Sequence, residues 1–268
     1  MGGFETRDVA KLSEHGILRA VDHVASESPL SIVVESARHG IHELGITMRT
    51  EGQDNLLTLG FLYSEGIISS SDEIERLDCN GDLANVKLNG TSLFDPLKHC
   101  RRGTVTSSCG ICGRSHISND YPESTVLDEV MEINLETVRK CLNSVIELQD
   151  VFSMTGGTHA CASFTADGAI DRVFEDVGRH NALDKLIGHT LNNETIEPQK
   201  QFIACSGRLN FELVQKGLMA NIGLMAGVGA PTSLAIDLAK RYDMTLLGFV
   251  KENSFNIYSN INRVILKN

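Results

Sequence analysis

Two cysteines three positions apart, Cys109 and Cys112, are the residues of this sequence best suited to chemistry. They lie in the stretch TSSCGICGR, residues 106–114, where a glycine follows each cysteine. Small residues without an apolar period predict an exposed loop rather than a helix or strand. Arginines such as Arg102 and Arg114 flank the pair, and a nearby cation favours the thiolate, which is the nucleophilic form. We therefore predict an accessible and reactive pair of thiols.

Three functions for this loop stay open. A zinc site needs about four ligands, and the chain has no second Cys-x-x-Cys, although Cys79, Cys100, His99 and His116 could complete one. A thioredoxin-like redox motif lies beside a βαβ pattern, whereas the residues after Cys112 show no helical face. The third function is a thiol that carries a group between proteins.

Composition limits the other classes of function. The 268 residues include 24 Lys and Arg against 35 Asp and Glu, a net charge of −11, so a basic nucleic-acid footprint is absent. Any anionic ligand must therefore meet a local cluster of donors. Seven irregularly spaced cysteines do not form a secreted disulfide pattern. With no signal-peptide or membrane-length apolar run, we expect a cytoplasmic protein that does not contact the membrane.

The first half of the chain predicts a β-rich domain over residues 26–128 that ends in the cysteine loop, after a loosely ordered lead-in over 1–25. β-branched and apolar patterns predict strands and one helix. The strands are expected at 29–35, 43–49, 74–79 and 83–88, and the helix at 53–63.

The second half, residues 129–268, predicts an α/β domain. Asn134 can cap a helix over 134–148. The expected buried face of this helix comprises Leu135, Val138, Leu142, Val145 and Ile146. Strands at 201–206, 222–228 and 245–251 alternate with helices, which is typical of parallel strands. Cys161 and Cys205 lie in apolar strands and are expected to be buried and inert.

The order of several unusual stretches carries a family resemblance. After TSSCGICGR come MTGGTHACASF, EDVGRHNALDKLIG, SGRLNFELVQKGLMA, APTSLAIDLA and LLGFVK. Each is weak alone, but the ordered set is specific and spans about residues 29–258. The chain closely resembles the FdhD family of formate dehydrogenase accessory proteins.

The resemblance implies a sulfurtransferase. A member accepts sulfur from a cysteine desulfurase as a persulfide on the first loop cysteine, here Cys109, with Cys112 as the second. It passes the sulfur to the molybdenum bis-molybdopterin guanine dinucleotide cofactor, of which GDP is a mimic, before that cofactor enters formate dehydrogenase. A homodimer without a catalytic metal of its own is expected. The alternative is a cofactor-binding chaperone without chemistry, whose loop holds zinc or acts as a redox switch.

The resemblance also implies a fold and a cofactor segment. The fold is α/β, α+β overall, with a mainly-β N-terminal domain and a cytidine-deaminase-like C-terminal domain around a mixed sheet. The segment comprises Phe249, Val250, Lys251, Glu252, Asn253 and Ser254. Family members often have Arg-Gly-Asp where this chain has Lys-Glu-Asn, which keeps one cation but changes its geometry.

The anionic cofactor directs attention to two further stretches. Gly178-Arg179-His180 and Gly207-Arg208 are each expected to open a helix after a strand, and helix starts bind phosphate well. Capping within the fold is the competing explanation for both arginines. His159 follows two glycines and could line the pocket, although a histidine on an apolar strand is more often a core group.

Overall fold

The computed structural model describes residues 2–100, 104–105, 131–251 and 254–265. The N-terminal part is mainly β. Its strands are β1 Phe4–Ser13, β2 Gly16–Ala25, β3 Ser28–Ser36, β4 Gly40–Arg49, β5 Ile74–Asn80, β6 Leu83–Leu88 and β7 Thr104–Val105, and its helices are α1 Asp54–Ser64 and α2 Pro96–His99. Five strands form one sheet in the order β5-β6-β3-β4-β7, and α1 covers it.

The N-terminal lead-in corrects an expectation. Instead of being loosely ordered, it forms a long hairpin in which β1 pairs with β2 in continuous antiparallel register, from Phe4 opposite Ala25 to Ser13 opposite Gly16. Gly16 has a φ of 112°, which a turn tolerates best with glycine. Most side chains on both faces are exposed. A hairpin that is exposed on both faces does not need alternating apolar residues. Its sequence therefore lacks the pattern that identifies a half-buried strand.

The C-terminal part contains a six-stranded sheet. Its helices are α3 Leu135–Glu147, α4 Asp150–Thr155, α5 Arg179–Leu191, α6 Phe211–Met219 and α7 Ser233–Arg241. Its strands are β8 Ile133–Asn134, β9 His159–Thr165, β10 Ile170–Asp176, β11 Gln201–Cys205, β12 Leu224–Gly227, β13 Thr245–Lys251, β14 Ser254–Ser259 and β15 Val264–Ile265. The sheet order is β10-β9-β11-β12-β13-β14, and β8 pairs with β15 apart from it.

The mixed sheet confirms the expected α/β class. Strands β11, β12 and β13 run parallel through crossover helices α6 and α7, whereas β9, β10 and β14 pair antiparallel. Helices α5, α6 and α7 bury one face of the sheet, and α3 buries the other. None of the helices in the described part of the chain is long and apolar enough to span a bilayer.

Helix α3 confirms its predicted cap and corrects one buried position. The Asn134 side chain accepts a hydrogen bond from the Glu136 backbone at 2.8 Å. Val138 and Cys141 lie in the buried stripe with Leu142 and Val145, but Ile146 is 52% exposed. The four buried residues define the stripe that faces the sheet, and Ile146 lies at the border of that stripe.

The two parts of the chain are joined by two helices whose backbones almost touch. A Cβ atom added at Gly60 of α1 would overlap the carbonyl oxygen of Asp184 on α5, and one at Gly188 would overlap that of Leu56. Beside this contact, Lys216 of α6 donates to Asp184 at 2.8 Å. Glycine is therefore required here for close approach, and the N-terminal part is held against α5.

We predict that Gly60→Ala lowers the free energy of unfolding by about 3 kcal/mol or more, because neither backbone can yield to the added methyl group. Denaturant titration of the purified variant measures this change. Gly90→Ala is the matched control, since a Cβ at Gly90 meets nothing within 4 Å. Equal stability of the two variants would show that the helices can separate without cost.

Candidate functional site

One edge of the six-stranded sheet gathers the ends of five strands. Parallel strands β11, β12 and β13 end there, and antiparallel β9 begins there. Strand β10 also ends there, because Asp176 pairs with His159. In open α/β sheets, ligands bind outside the carboxyl ends of the strands. This edge, from here on the sheet-edge site, is therefore the candidate functional site.

Backbone hydrogen bonds connect the three loops that leave the parallel strands. The Gly229 amide donates to the carbonyl of Gly207 at 3.1 Å, and the Phe249 amide donates to the carbonyl of Gly229 at 3.2 Å. A Cβ atom on Gly229 would lie 2.9 Å from the Arg208 side chain. Because Gly229 has no side chain, the loops that carry Arg208 and Phe249 can lie next to each other.

Phe249 has an unusual backbone. Its φ of 52° lies in the left-handed region, which is costly for a bulky residue, and its side chain is 44% exposed. Backbone strain of this kind clusters at ligand sites. An exposed aromatic ring at the sheet-edge site is suited to stacking on a flat ligand group.

The other described residues of the predicted cofactor segment lie at the end of β13 and the start of β14. Val250 is buried in the core, so its side chain does not face a ligand. Lys251 pairs with the exposed Ser254 through the backbone, which closes the strand connection. Glu252 and Asn253 lie outside the described residues.

His159 and Arg179 form a second polar group at the same edge. A Cβ atom at Gly207 would lie 3.3 Å from His159 Nδ1 and 4.0 Å from Arg179 Cδ. His159 is half-buried at the start of β9 rather than in the core. Burial lowers its pKa, and the positive charges of Arg179, His180 and Arg208 lower it further. Asp176 opposes this lowering.

Helices α5 and α6 both begin at the sheet-edge site. Helix α5 starts at Arg179 as predicted, with no side-chain cap from Gly178. The expectation that Gly207 and Arg208 open α6 is wrong. Asn210 caps that helix by accepting from the Leu213 amide at 3.1 Å, so it begins at Phe211 and the exposed Arg208 belongs to the preceding loop.

A contact between a histidine and a carboxylate couples the first turns of the two helices. His180 Nε2 of α5 lies 3.1 Å from Glu212 Oε2 of α6, and both side chains are largely buried. The same ring nitrogen lies 3.3 Å from the amide oxygen of Asn210. Sequence analysis gave Glu212 and Asn210 no role, because their partner is about thirty positions away and no local pattern marks the contact.

A buried carboxylate, that of Asp176, holds the start of α5 in place. Its oxygens accept from the Thr50 amide at 3.2 Å, the Gly178 amide at 2.8 Å and the Asn181 side chain at 3.0 Å. The fully buried Lys185 ammonium lies 2.8 Å away. Burial raises the pKa of Asp176, and Lys185 opposes that rise.

Asn181 joins the sheet-edge site to the N-terminal sheet. Its side chain donates to the carbonyl of Met48 at 2.7 Å and accepts from the Thr47 hydroxyl at 3.0 Å. In the N-terminal sheet, Thr47 pairs with Val105 of β7. The chain therefore enters the cysteine stretch from a position close to the first turn of α5.

The predicted thiols Cys109 and Cys112 lie outside the described residues, as does His116. Cys79 and Cys100, considered as further zinc ligands, pack against the N-terminal core, and burial raises the pKa of each thiol. His99 stacks on Phe94. In the described ranges, no group of three or more His, Cys, Asp or Glu residues is arranged to hold a metal ion.

The sequence of the chain matches one protein family over almost its whole length. A model of the FdhD/NarQ family matches residues 25–265. The chain belongs to this family, as its ordered stretches indicate.

Relatives agree with this assignment, and a solved structure shares the fold. A protein named Sulfur carrier protein FdhD from Sulfurisphaera tokodaii is 42% identical over 246 residues, which cover 91% of this chain and 92% of that protein. One of the same name from Saccharolobus solfataricus is 36% identical over 96% of each chain. A crystal structure from Desulfotalea psychrophila shares the fold, with a TM-score of 0.74, 19% identity and coverage of 98% and 100%.

We predict that the His159 imidazole titrates below about 6.5, the usual histidine value, because burial and neighbouring cations disfavour its protonated form. NMR titration of its ring protons, assigned with His159→Gln, measures the midpoint. The unfolded chain takes up this proton more readily, so folding stability falls as the pH drops below about 6.5. The same protein unfolded in urea is the control, and a midpoint no lower than in urea would contradict the electrostatics.

Proposed function

We propose that this protein is a sulfur carrier that serves formate dehydrogenase maturation. It accepts sulfur from a cysteine desulfurase as a persulfide on Cys109. It passes that sulfur to the bis-molybdopterin guanine dinucleotide cofactor before the cofactor is inserted into formate dehydrogenase. Family membership and the names of its relatives support the general role. The observation that carries the specific proposal is the position of β7, four residues before Cys109, beside the end of β4 that Asn181 of α5 contacts.

The position of Val105 limits how far Cys109 can be from the sheet edge. Val105 pairs with Thr47, whose hydroxyl donates to Asn181 in the first turn of α5. Cys109 follows Val105 by four residues. An extended chain spans at most about 3.3–3.6 Å per residue, so the Cα atoms of Val105 and Cys109 are at most about 14 Å apart. A thiol on so short a tether suits delivery of sulfur to a ligand at this edge.

The sheet-edge site also has features that suit the cofactor. The cofactor carries diphosphate groups and guanine bases. Arg208 and the N-terminus of α5 offer positive potential to phosphate. Lys251, the last residue of β13, adds a further cation to the sequence of this segment. The exposed ring of Phe249 offers a stacking surface to a guanine base.

The chemistry follows the rules of thiol exchange. The Cys109 thiolate attacks the outer sulfur of the donor persulfide, a new S–S bond forms, and the donor cysteine leaves as a thiolate. The rate depends on the thiolate fraction and on access. Cys112 either assists release or resolves the persulfide by forming a disulfide that expels sulfide. We also propose that the protein works in the cytoplasm as a homodimer, which would suit a cofactor with two pterin–nucleotide arms.

We predict that Cys109→Ala abolishes formate dehydrogenase maturation, because the carrier sulfur atom is gone, and that Cys112→Ala reduces maturation less. Formate dehydrogenase activity in a complemented deletion strain measures both effects. Cys100→Ala is the matched control. Maturation should be unaffected in this variant if Cys109 carries the sulfur, and it should be lost if Cys100 is a ligand of a zinc site. Full activity of Cys109→Ala would contradict the carrier role.

We predict that Arg208→Ala and Lys251→Glu each weaken GDP binding by about tenfold or more, the scale of a lost charge-assisted hydrogen bond. Isothermal calorimetry measures the affinity, and persulfide loading of the same variants should be unchanged. Lys240→Ala is the control, because Lys240 lies in the last turn of α7, away from the helix starts. GDP affinities equal to that of Lys240→Ala would place the nucleotide elsewhere.

A further inference from the structure

Two buried cysteines face each other within the six-stranded sheet. Cys161 of β9 and Cys205 of β11 are direct cross-strand partners in an antiparallel pair. Their Sγ atoms lie 3.3 Å apart, and their exposed fractions are 1% and 2%. Both side chains belong to the core beneath α5 and α6. Neither thiol has a part in the proposed sulfur transfer.

The backbone geometry at this pair suits a covalent bond. Directly opposed residues of antiparallel strands have Cα atoms about 4.5–5.5 Å apart. Disulfides form when the Cα atoms are about 4.4–6.8 Å apart. A small rotation of the side chains therefore brings the two sulfurs to bonding distance without a movement of the strands.

The pair lies directly below the sheet-edge site. His159 is two residues before Cys161 on β9, and Gly207 is two residues after Cys205. The Cys161 sulfur also contacts the carbonyl oxygen of Arg179 at 4.0 Å. A bond between the two cysteines would thus tie together the strands that present His159 and Arg208.

We propose that Cys161 and Cys205 are a redox-active dithiol that peroxide converts to a cross-strand disulfide, which fixes β9 to β11 beneath the sheet-edge site. This inference does not depend on the proposed sulfur-carrier function. It requires only the facing thiols and an oxidant small enough to enter the sheet edge. Hydrogen peroxide is close to water in size, and each cysteine lies two residues from His159 or Gly207 at that edge.

The reaction balances in two steps. One thiolate attacks a peroxide oxygen, the O–O bond breaks, and a sulfenic acid forms with release of hydroxide. The second sulfur then attacks the sulfenic sulfur, the S–S bond forms, and water leaves. Overall, two thiols are oxidised and one peroxide is reduced to two waters.

The environment of the pair determines when it reacts. The hydrogen bond to Cys205 and burial both raise the pKa of Cys161 well above the ordinary thiol value. Since the thiolate is the reactive form, the reduced pair reacts slowly near neutral pH. Disulfide formation should become faster as the pH rises.

The test uses the full-length double variant Cys109→Ser/Cys112→Ser, in which Cys79, Cys100, Cys141, Cys161 and Cys205 are the remaining cysteines. The protein is treated with hydrogen peroxide, unfolded, alkylated and analysed by mass spectrometry. We expect a loss of two alkylatable thiols, a peptide that links Cys161 to Cys205, and an upward shift of several degrees in the apparent Tm that a reductant reverses.

Cys141 is the internal control, because it is buried but faces no second thiol, and it should remain alkylatable. Cys205→Ala in the same background should yield no linked peptide. If Cys205→Ala folds poorly, the search for the linked peptide in the Cys109→Ser/Cys112→Ser variant still decides the outcome. Retention of both thiols, oxidation of each without a link, or a link to another cysteine would overturn the proposal.

Discussion

The rest of the structure depends on the hydrogen bonds and the ion pair that the buried carboxylate of Asp176 makes. It ends β10, accepts from the amides of Thr50 and Gly178, and pairs with Lys185 in a site closed to solvent. Removing one partner of such a buried pair typically costs about 3–5 kcal/mol, because the other charge is left without compensation. The carboxylate therefore fixes the joint between the N-terminal sheet and α5.

The position of the candidate site follows from that joint. Asp176 sets where α5 begins, and Asn181 in the first turn of α5 binds the end of β4. Strand β7 runs beside β4, so the route into the cysteine stretch starts close to the sheet edge. The contact between Gly60 and Asp184, about one turn further along α5, supports the same arrangement. The proposal that the carrier thiol and the cofactor-binding edge belong to a single site rests on this arrangement.

Sequence reasoning succeeded where local patterns decide the structure. The β3–β4 hairpin, helix α1 and the alternating strands and helices after residue 200 all have clear apolar periods. It failed for the exposed β1–β2 hairpin, which has no such period, and for the start of α6, where Asn210 rather than Gly207 provides the cap. The hydrogen bond from Thr50 to Asp176 was not predictable, because Thr50 is 126 positions away. Phe249 entered the candidate site through family resemblance, and its left-handed backbone became evident only in the fold.

The central claim is that this chain carries sulfur on Cys109. Intact-mass spectrometry of the protein, incubated with a cysteine desulfurase and cysteine, tests it most directly. The account predicts a gain of the mass of one sulfur atom that a reductant removes and that is absent from Cys109→Ala. No gain in the unmodified protein, or the same gain in Cys109→Ala, would contradict it.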